Sequence, residues 1–158
     1  MDRDELLRIL RAFEAEGLEY VLIGATAMGF HGVIRATEDV DLFVQATPEN
    51  LARLRRALRA VYADDASIDE IRDADLLGEY PSVRYYPPSG DLFLDLMTRL
   101  GDAASFDTVE AEIKQVEGIR VRVATPLALY RMKKATLRPL DHRDAAMLAE
   151  RFDLQDGD

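Results

Sequence analysis

Two periods of apolar residues divide the chain. In residues 4–16, Leu6, Ile9, Leu10 and Phe13 recur at helical spacing, and Gly17 is placed to close that helix in a left-handed conformation. "EYVLIG", residues 19–24, reads as a buried strand, and "ATAMGFHG" as a short helix closing at Gly32. "DVDLFVQ" alternates strictly and predicts a second strand. "TPENLARLRRALRAVY" gives the strongest helical pattern: Thr47 caps it, Pro48 suits the first turn, and Leu51, Leu54, Leu58 and Val61 line one face. Residues 64–79 are acidic and helical in part, from Ser67 to Leu77.

The second half begins with a short strand, "VRYY", and a "PPSG" turn. "DLFLDLM", residues 91–97, is a clear strand, residues 105–116 are ambiguous and weakly helical, and "IRVRVAT" is a strand with Ile119, Val121 and Val123 inward. A capped helix starts at Thr125-Pro126, and a last one runs from about Asp141 to Phe152, ahead of a frayed "DLQDGD" tail. Strands in the middle and helices at the end predict an α/β fold, a mixed β-sheet flanked by helices with a small C-terminal helical region. The division expected is a core over 1–124 and a helical region over 125–158 packed on it.

Strand geometry puts residues i and i+2 on one side. Asp39, Asp41 and Phe43 therefore share a face, while Val40, Leu42 and Val44 face the core. The strand 91–97 repeats the arrangement, with Leu92, Leu94 and Leu96 inward and Asp91, Phe93, Asp95 and Met97 opposite. If the two strands are neighbours, three or four carboxylates gather on one surface. Like charges ~4 Å apart repel by about 1 kcal/mol in water and by several at an effective dielectric of 20. Hard divalent cations relieve that repulsion, and two of them can hold the attacking and leaving oxygens of an in-line displacement. The plainer reading is a solvated face carrying ordinary aspartates. Aspartate is depleted in strands, and a second strand of the same pattern favours metal.

Composition narrows the class. The 158 residues suit one domain, and 48% of them are apolar, enough for a core. No cysteine is present, which excludes disulfides and thiolate metal sites. The charged, helical N-terminus does not resemble a signal peptide, and no apolar run approaches a membrane span, so a soluble cytoplasmic protein is expected, with no membrane partner. A net charge of −10 disfavours non-specific binding to a phosphate backbone, and two bound divalent ions would leave the chain acidic.

Other residues carry two readings each. A glycine between strand and helix, Gly24, is either a turn residue or the start of a helix offering free N–H groups to phosphate. Lys133 falls between Leu129 and Leu137, close to Tyr130, where it snorkels outward or reaches a partner inward; Lys134 lies at the margin of that arc. His31 suits packing or capping, and His142 a solvated first turn. Arg35 meets phosphate or pairs with Glu38. Thr37 supports the acidic strand, and Tyr85 and Tyr86 belong to an interface or to the core.

Together, "LIGATAMGFHGVIRATEDVDLFV" and "LFLDLM" resemble the minimal nucleotidyltransferase superfamily, with its DNA polymerase beta-like core. Its pattern is an apolar strand ending in Gly-Gly or Gly-Ser, a short helix, Asp-x-Asp, and a third Asp on a later strand. Gly24-Ala25, Asp39 and Asp41, and Asp95 fall at those positions. "R-x-T-x-D-x-D", from Arg35 to Asp41, looks most like the abortive-infection, AbiEii-type, toxin nucleotidyltransferases. "TPLALYRMKKA" and "PLDHRD" are similar to that group's Pro-x-x-Leu-x-x-Met-Lys helix and Asp-x-x-Asp, which puts Lys133, Asp141 and Asp144 at the family positions.

The resemblance implies magnesium-dependent (or manganese-dependent) transfer of a nucleoside monophosphate from a nucleoside triphosphate to an acceptor hydroxyl of tRNA, protein or a small molecule. Asp39, Asp41 and Asp95 would hold metal and catalyse. Gly24, Ala25, Arg35, Thr37 and Lys133 would meet the nucleotide. A toxin would imply a cognate antitoxin. Two positions depart from the pattern: Ala25 replaces the second Gly or Ser, and Leu140 stands where a basic residue often precedes the Asp-x-x-Asp. They keep open the alternative of a catalytically degenerate binding or interaction domain.

Overall fold

A computed structural model describes residues 1–155. Helix α1 (Arg3–Glu16) is capped by the Asp2 carboxylate and closed by Gly17 at φ 68°. It leads into β1 (Tyr20–Ile23), α2 (Gly24–Phe30), β2 (Asp39–Val44) and α3 (Pro48–Val61). A 3₁₀ turn (Ala66–Glu70), a single-turn helix α4 (Asp73–Leu76), and strands β3 (Ser82–Tyr85) and β4 (Phe93–Met97) follow. A small ribbon, β5 (Arg99–Leu100) and β6 (Ala104–Ser105), precedes β7 (Ala111–Val116) and β8 (Ile119–Ala124). Helices α5 (Pro126–Lys134) and α6 (Pro139–Phe152) end the chain, α5 being capped by Thr125.

Six strands form one mixed sheet in the order β3-β4-β2-β1-β8-β7. Its centre is set by burial: every residue of β1 is buried, as are Val40, Leu42 and Val44 of β2. Strands β2 and β4 run parallel, with Asp41 opposite Asp95, while β1 is antiparallel to β2 and parallel to β8. Phe13, Leu54, Leu58, Leu129 and Leu148 join the strand residues in one apolar cluster, so α1, α3, α5 and α6 all contribute to a single core. No described helix is long and apolar enough to cross a membrane.

Several elements differ from the expectation. Residues 105–116 are not helical: β7 pairs antiparallel with β8 through Glu117-Gly118, both at positive φ (47° and 81°), the geometry that suits a two-residue hairpin. As an edge strand with Ile113 half exposed, β7 lacks the buried face that makes a strand legible. The 67–77 segment splits into the 3₁₀ turn and α4, anchored by buried Ile68, Ile71 and Leu76. Strand β4 begins at Phe93, which leaves Asp91 exposed and off the acidic face. Helix α6 begins two residues early, at Pro139, whose missing N–H costs nothing at that position. Phe43, on the acidic face, is fully buried. Of the tail, Leu154 N–H still donates to Ala149, and residues 156–158 lie outside the described residues.

One buried polar residue pins this arrangement. The Asn50 amide, with no accessible surface, donates to the carbonyls of Glu19 and Gln45 and accepts from the Glu19 N–H. It thereby ties α3 to the entry of β1 and the exit of β2. Asn50→Ala leaves those buried groups unpaired and should cost about 2–4 kcal/mol. Urea denaturation would show this as a lower midpoint at unchanged slope.

Candidate active site

Register brings the three aspartates together. Asp39 and Asp41 alternate on β2, and the parallel pairing with β4 places Asp95 beside Asp41. One carboxylate oxygen from each of the three lies within 4.8 Å of the others. All three side chains are partly buried on a face otherwise lined by Ile23, Met97, Leu129 and Met132. The cleft above them measures about 360 Å³ and is closed on its far side by α5 and the turn into α6.

Crowding has an electrostatic consequence. Burial pushes the Asp41 carboxyl up to about 7, and its hydrogen bond with Asp95 and the charges of Asp95 and Asp39 push the same way, against Lys133. A carboxyl so placed takes up a proton unless a divalent cation lies beside it. The donor set, all hard oxygens at short mutual range, fits a divalent cation such as magnesium or manganese.

Gly24 is required by contact as much as by turn. Its φ is +69°, and a Cβ built there would stand 2.4 Å from Asp41 Oδ2. Strand β1 can thus hand over to α2 immediately beside the acid. Ala25 is buried and lines a neighbouring cleft of about 330 Å³, together with Arg35 and Thr37. Thr37 Oγ1 accepts the Asp39 N–H, and Thr26 Oγ1 donates to the Asp39 carbonyl, so both hydroxyls fix the backbone that carries the first acid.

The cations form a second layer. Lys133 lines the cleft, turned inward, with Nζ 3.1 Å from both Asp141 Oδ1 and Asp144 Oδ2. Arg35 does not pair with Glu38; its guanidinium grips Asp144 through two bonds of 2.8 and 3.0 Å. Asp144 has no accessible surface and Asp141 only 2%. Arg138 and the Thr136 hydroxyl complete the set around Asp141, holding its carboxyl well below the ordinary range, with Arg138 the largest contributor. Arg138, two positions before Leu140, is the basic residue that holds Asp141 here. Lys134 lies over the Tyr130 ring.

Three polar cleft residues escaped sequence reasoning: Arg84, Thr136 and Arg138. The Arg138-to-Asp141 spacing across a helix start offered a signal for the third. Arg84 could be found only once β3 was known to pair with β4. The histidines stay outside the site. His31, buried, hydrogen-bonds the Ala124 carbonyl and packs edge-on against Phe152, and His142 is exposed. Tyr85 is buried and Tyr86 is 61% exposed. A second acidic group, Asp2, Glu5 and Asp91, is accounted for by the α1 cap and by hydroxyls of Tyr62 and Ser89 on Glu5.

Comparisons follow the same direction. The family model described as nucleotidyl transferase AbiEii toxin, type IV toxin–antitoxin system, matches residues 6–148. No curated protein matches the chain. An antigenic nucleotidyltransferase-like protein from Paracoccidioides brasiliensis is similar in structure at 16% identity and a TM-score of 0.59, covering 96% of this chain and 78% of its own. ANT(2″)-Ia, solved in complex with adenylyl-2″-tobramycin, is similar at 18% identity and a TM-score of 0.55, covering 96% and 90%. At these identities the two structures establish the fold.

Two outcomes follow from the geometry. Gly24→Ala should keep secondary structure by circular dichroism but weaken Mn²⁺ binding, read by electron paramagnetic resonance, by about tenfold or more, because Asp41 must move. The raised Asp41 carboxyl means that the metal-free protein loses stability as pH rises from about 4 through about 7. In EDTA at pH 8, Asp41→Asn should therefore melt about 5 °C or more above the parent, with the gap closing towards pH 4.

Proposed function

The chain belongs to the nucleotidyl transferase AbiEii toxin family of type IV toxin–antitoxin systems, and from that premise we propose that its three-aspartate cleft transfers a nucleoside monophosphate from a nucleoside triphosphate to an acceptor hydroxyl. The observation that carries this reading is the convergence of Asp39, Asp41 and Asp95 from adjacent strands, oxygens within 4.8 Å, in a cleft whose opposite wall presents Lys133.

Asp39, Asp41 and Asp95 would hold the divalent ions. Bound there, magnesium or manganese supplies charge neutralisation and polarises phosphoryl oxygens. The chain's own groups do the rest. Gly24 and Ala25 bring backbone to the triphosphate at the start of α2, where a side chain on Gly24 would collide with Asp41. Lys133 is kept in the cleft by the two buried acids of α6 and offers a compact cation to the phosphates. Arg35, forked on Asp144, and Thr37, hydrogen-bonded to Asp39, support this nucleotide side.

Asp95 receives the proton of the acceptor hydroxyl. The acceptor oxygen bonds to the α-phosphorus, the bond from that phosphorus to the β-phosphate oxygen breaks, and pyrophosphate leaves. The acceptor is a tRNA end, a protein hydroxyl or a small molecule, and the toxin acts opposite a cognate antitoxin. Ala25 lacks the hydroxyl found in relatives of the Gly-Ser type but retains the backbone N–H used here.

Asp41→Asn should leave the fold intact and reduce magnesium-dependent transfer by at least about 10³-fold. Incubation with each labelled nucleoside triphosphate, total tRNA, protein extract and aminoglycoside would place label in one acceptor class. Full transfer by the variant, or no labelled product with any acceptor, would remove this reading.

A further inference from the structure

Arg84 occupies the edge strand β3, directly opposite Asp95 in the antiparallel β3–β4 ladder. Opposed residues share a face. Pairing therefore commits Arg84 to the acidic side of the sheet, whereas its neighbour Tyr85 is buried on the other. None of the steps above uses it.

The contact is specifically shaped. Nε–H donates to Asp95 Oδ1 at 2.8 Å, while the second arm of the guanidinium reaches Oδ2 only at 3.5 Å. The guanidinium carbon stands 4.8 Å from the centre of the Phe93 ring, and Phe93 lies two residues before Asp95 on the same face. Tyr86 packs on that ring, centroids 5.4 Å apart, and its hydroxyl accepts a long bond of 3.4 Å from Arg84. A planar cation resting on one ring, with a carboxylate at its edge, has one favoured pose.

Charge partition separates Arg84 from the other cleft cations. Lys133 and Arg138 are tied to Asp141 and Asp144 on the α6 side. Arg84 arrives from the opposite margin of the sheet and is tied to Asp95. Its side chain is 51% exposed, and so open a pair contributes little to stability. What the pair does provide is direction. A lone carboxylate on a strand has two free torsions, and productive transfer needs aim to within about 0.5 Å.

We propose that Arg84 is a positioning residue of the transfer: stacked on Phe93, it holds Asp95 by Oδ1 and leaves Oδ2 turned to the reacting hydroxyl. This rests on the reading of Asp95 as the proton acceptor. Arg84 also occupies a carboxylate that would otherwise be wholly available to a metal ion. Its removal therefore acts in opposite directions on turnover and on metal affinity.

The test compares Arg84→Ala, Arg84→Lys and Asp95→Ala in the full chain, by steady-state transfer and by Mn²⁺ titration without nucleotide. Arg84→Ala should lower kcat about 10–100-fold with KM for the nucleoside triphosphate within about threefold, and bind Mn²⁺ about threefold or more tightly. Arg84→Lys should recover only part of kcat, since the charge is retained but the planar, stacked pose on Phe93 is lost. Undiminished kcat in Arg84→Ala overturns the proposal, and so does a kcat loss accompanied by weaker Mn²⁺ binding, the signature of a disordered site. Asp95→Ala separates the two levels. Full turnover there removes the underlying role of Asp95, whereas lost turnover there beside intact Arg84→Ala removes the role of Arg84 alone.

Discussion

Three carboxylates held within a few ångströms repel one another, and much of the surrounding structure answers that repulsion. The parallel register of β2 and β4 sets the distance, because Asp41 and Asp95 are Cα partners and cannot separate without a slip that would turn Val40 and Leu42 outward. Burial behind an apolar sheet raises the cost of the charge, visible in the elevated Asp41 carboxyl. Gly24 gives way sterically to let Asp41 stand where it does. Arg84 neutralises one end of the cluster from the sheet edge, and a proton or a divalent ion is needed at the other.

The second charge layer solves a different problem. The cations of this layer are fixed in place, and the groups that fix them are buried. Asp144 takes Arg35 and Lys133 together, and Asp141 takes Lys133, Arg138 and Thr136. No buried side-chain polar atom among the described residues lacks a partner. The motif residues Lys133, Asp141 and Asp144 therefore form one network.

What the chain disclosed before its structure follows the strength of the periodic signal. β2 and β4 alternate strictly, so the acidic face was readable, and motif spacing led to the family that the 6–148 match bears out. Capping chemistry at Thr47 and Thr125 fixed two helix starts to within a residue or two. β7 was misread because an edge strand buries no continuous face. Of the two readings of Arg35, the pairing with Glu38 gives way to Asp144, an acid 109 residues away that sequence proximity could not suggest. Arg84 was invisible because only inter-strand register places it. Side chains positioned by long-range pairing leave no local trace.

The Arg35–Asp144–Lys133 bridge also governs how the molecule can move. It spans the loop before β2, helix α5 and helix α6 through a carboxylate with no accessible surface. Swinging the two C-terminal helices away from the sheet would pull Asp144 off Arg35, while Lys133 travelled with its acid, so this one buried ion pair ties those helices to the loop before β2. On the other lip of the cleft, the Arg84 and Tyr86 side chains are exposed, although β3 itself is laddered to β4 and buries Tyr85. The cleft therefore has one lip braced by buried ion pairs and one whose cation faces solvent.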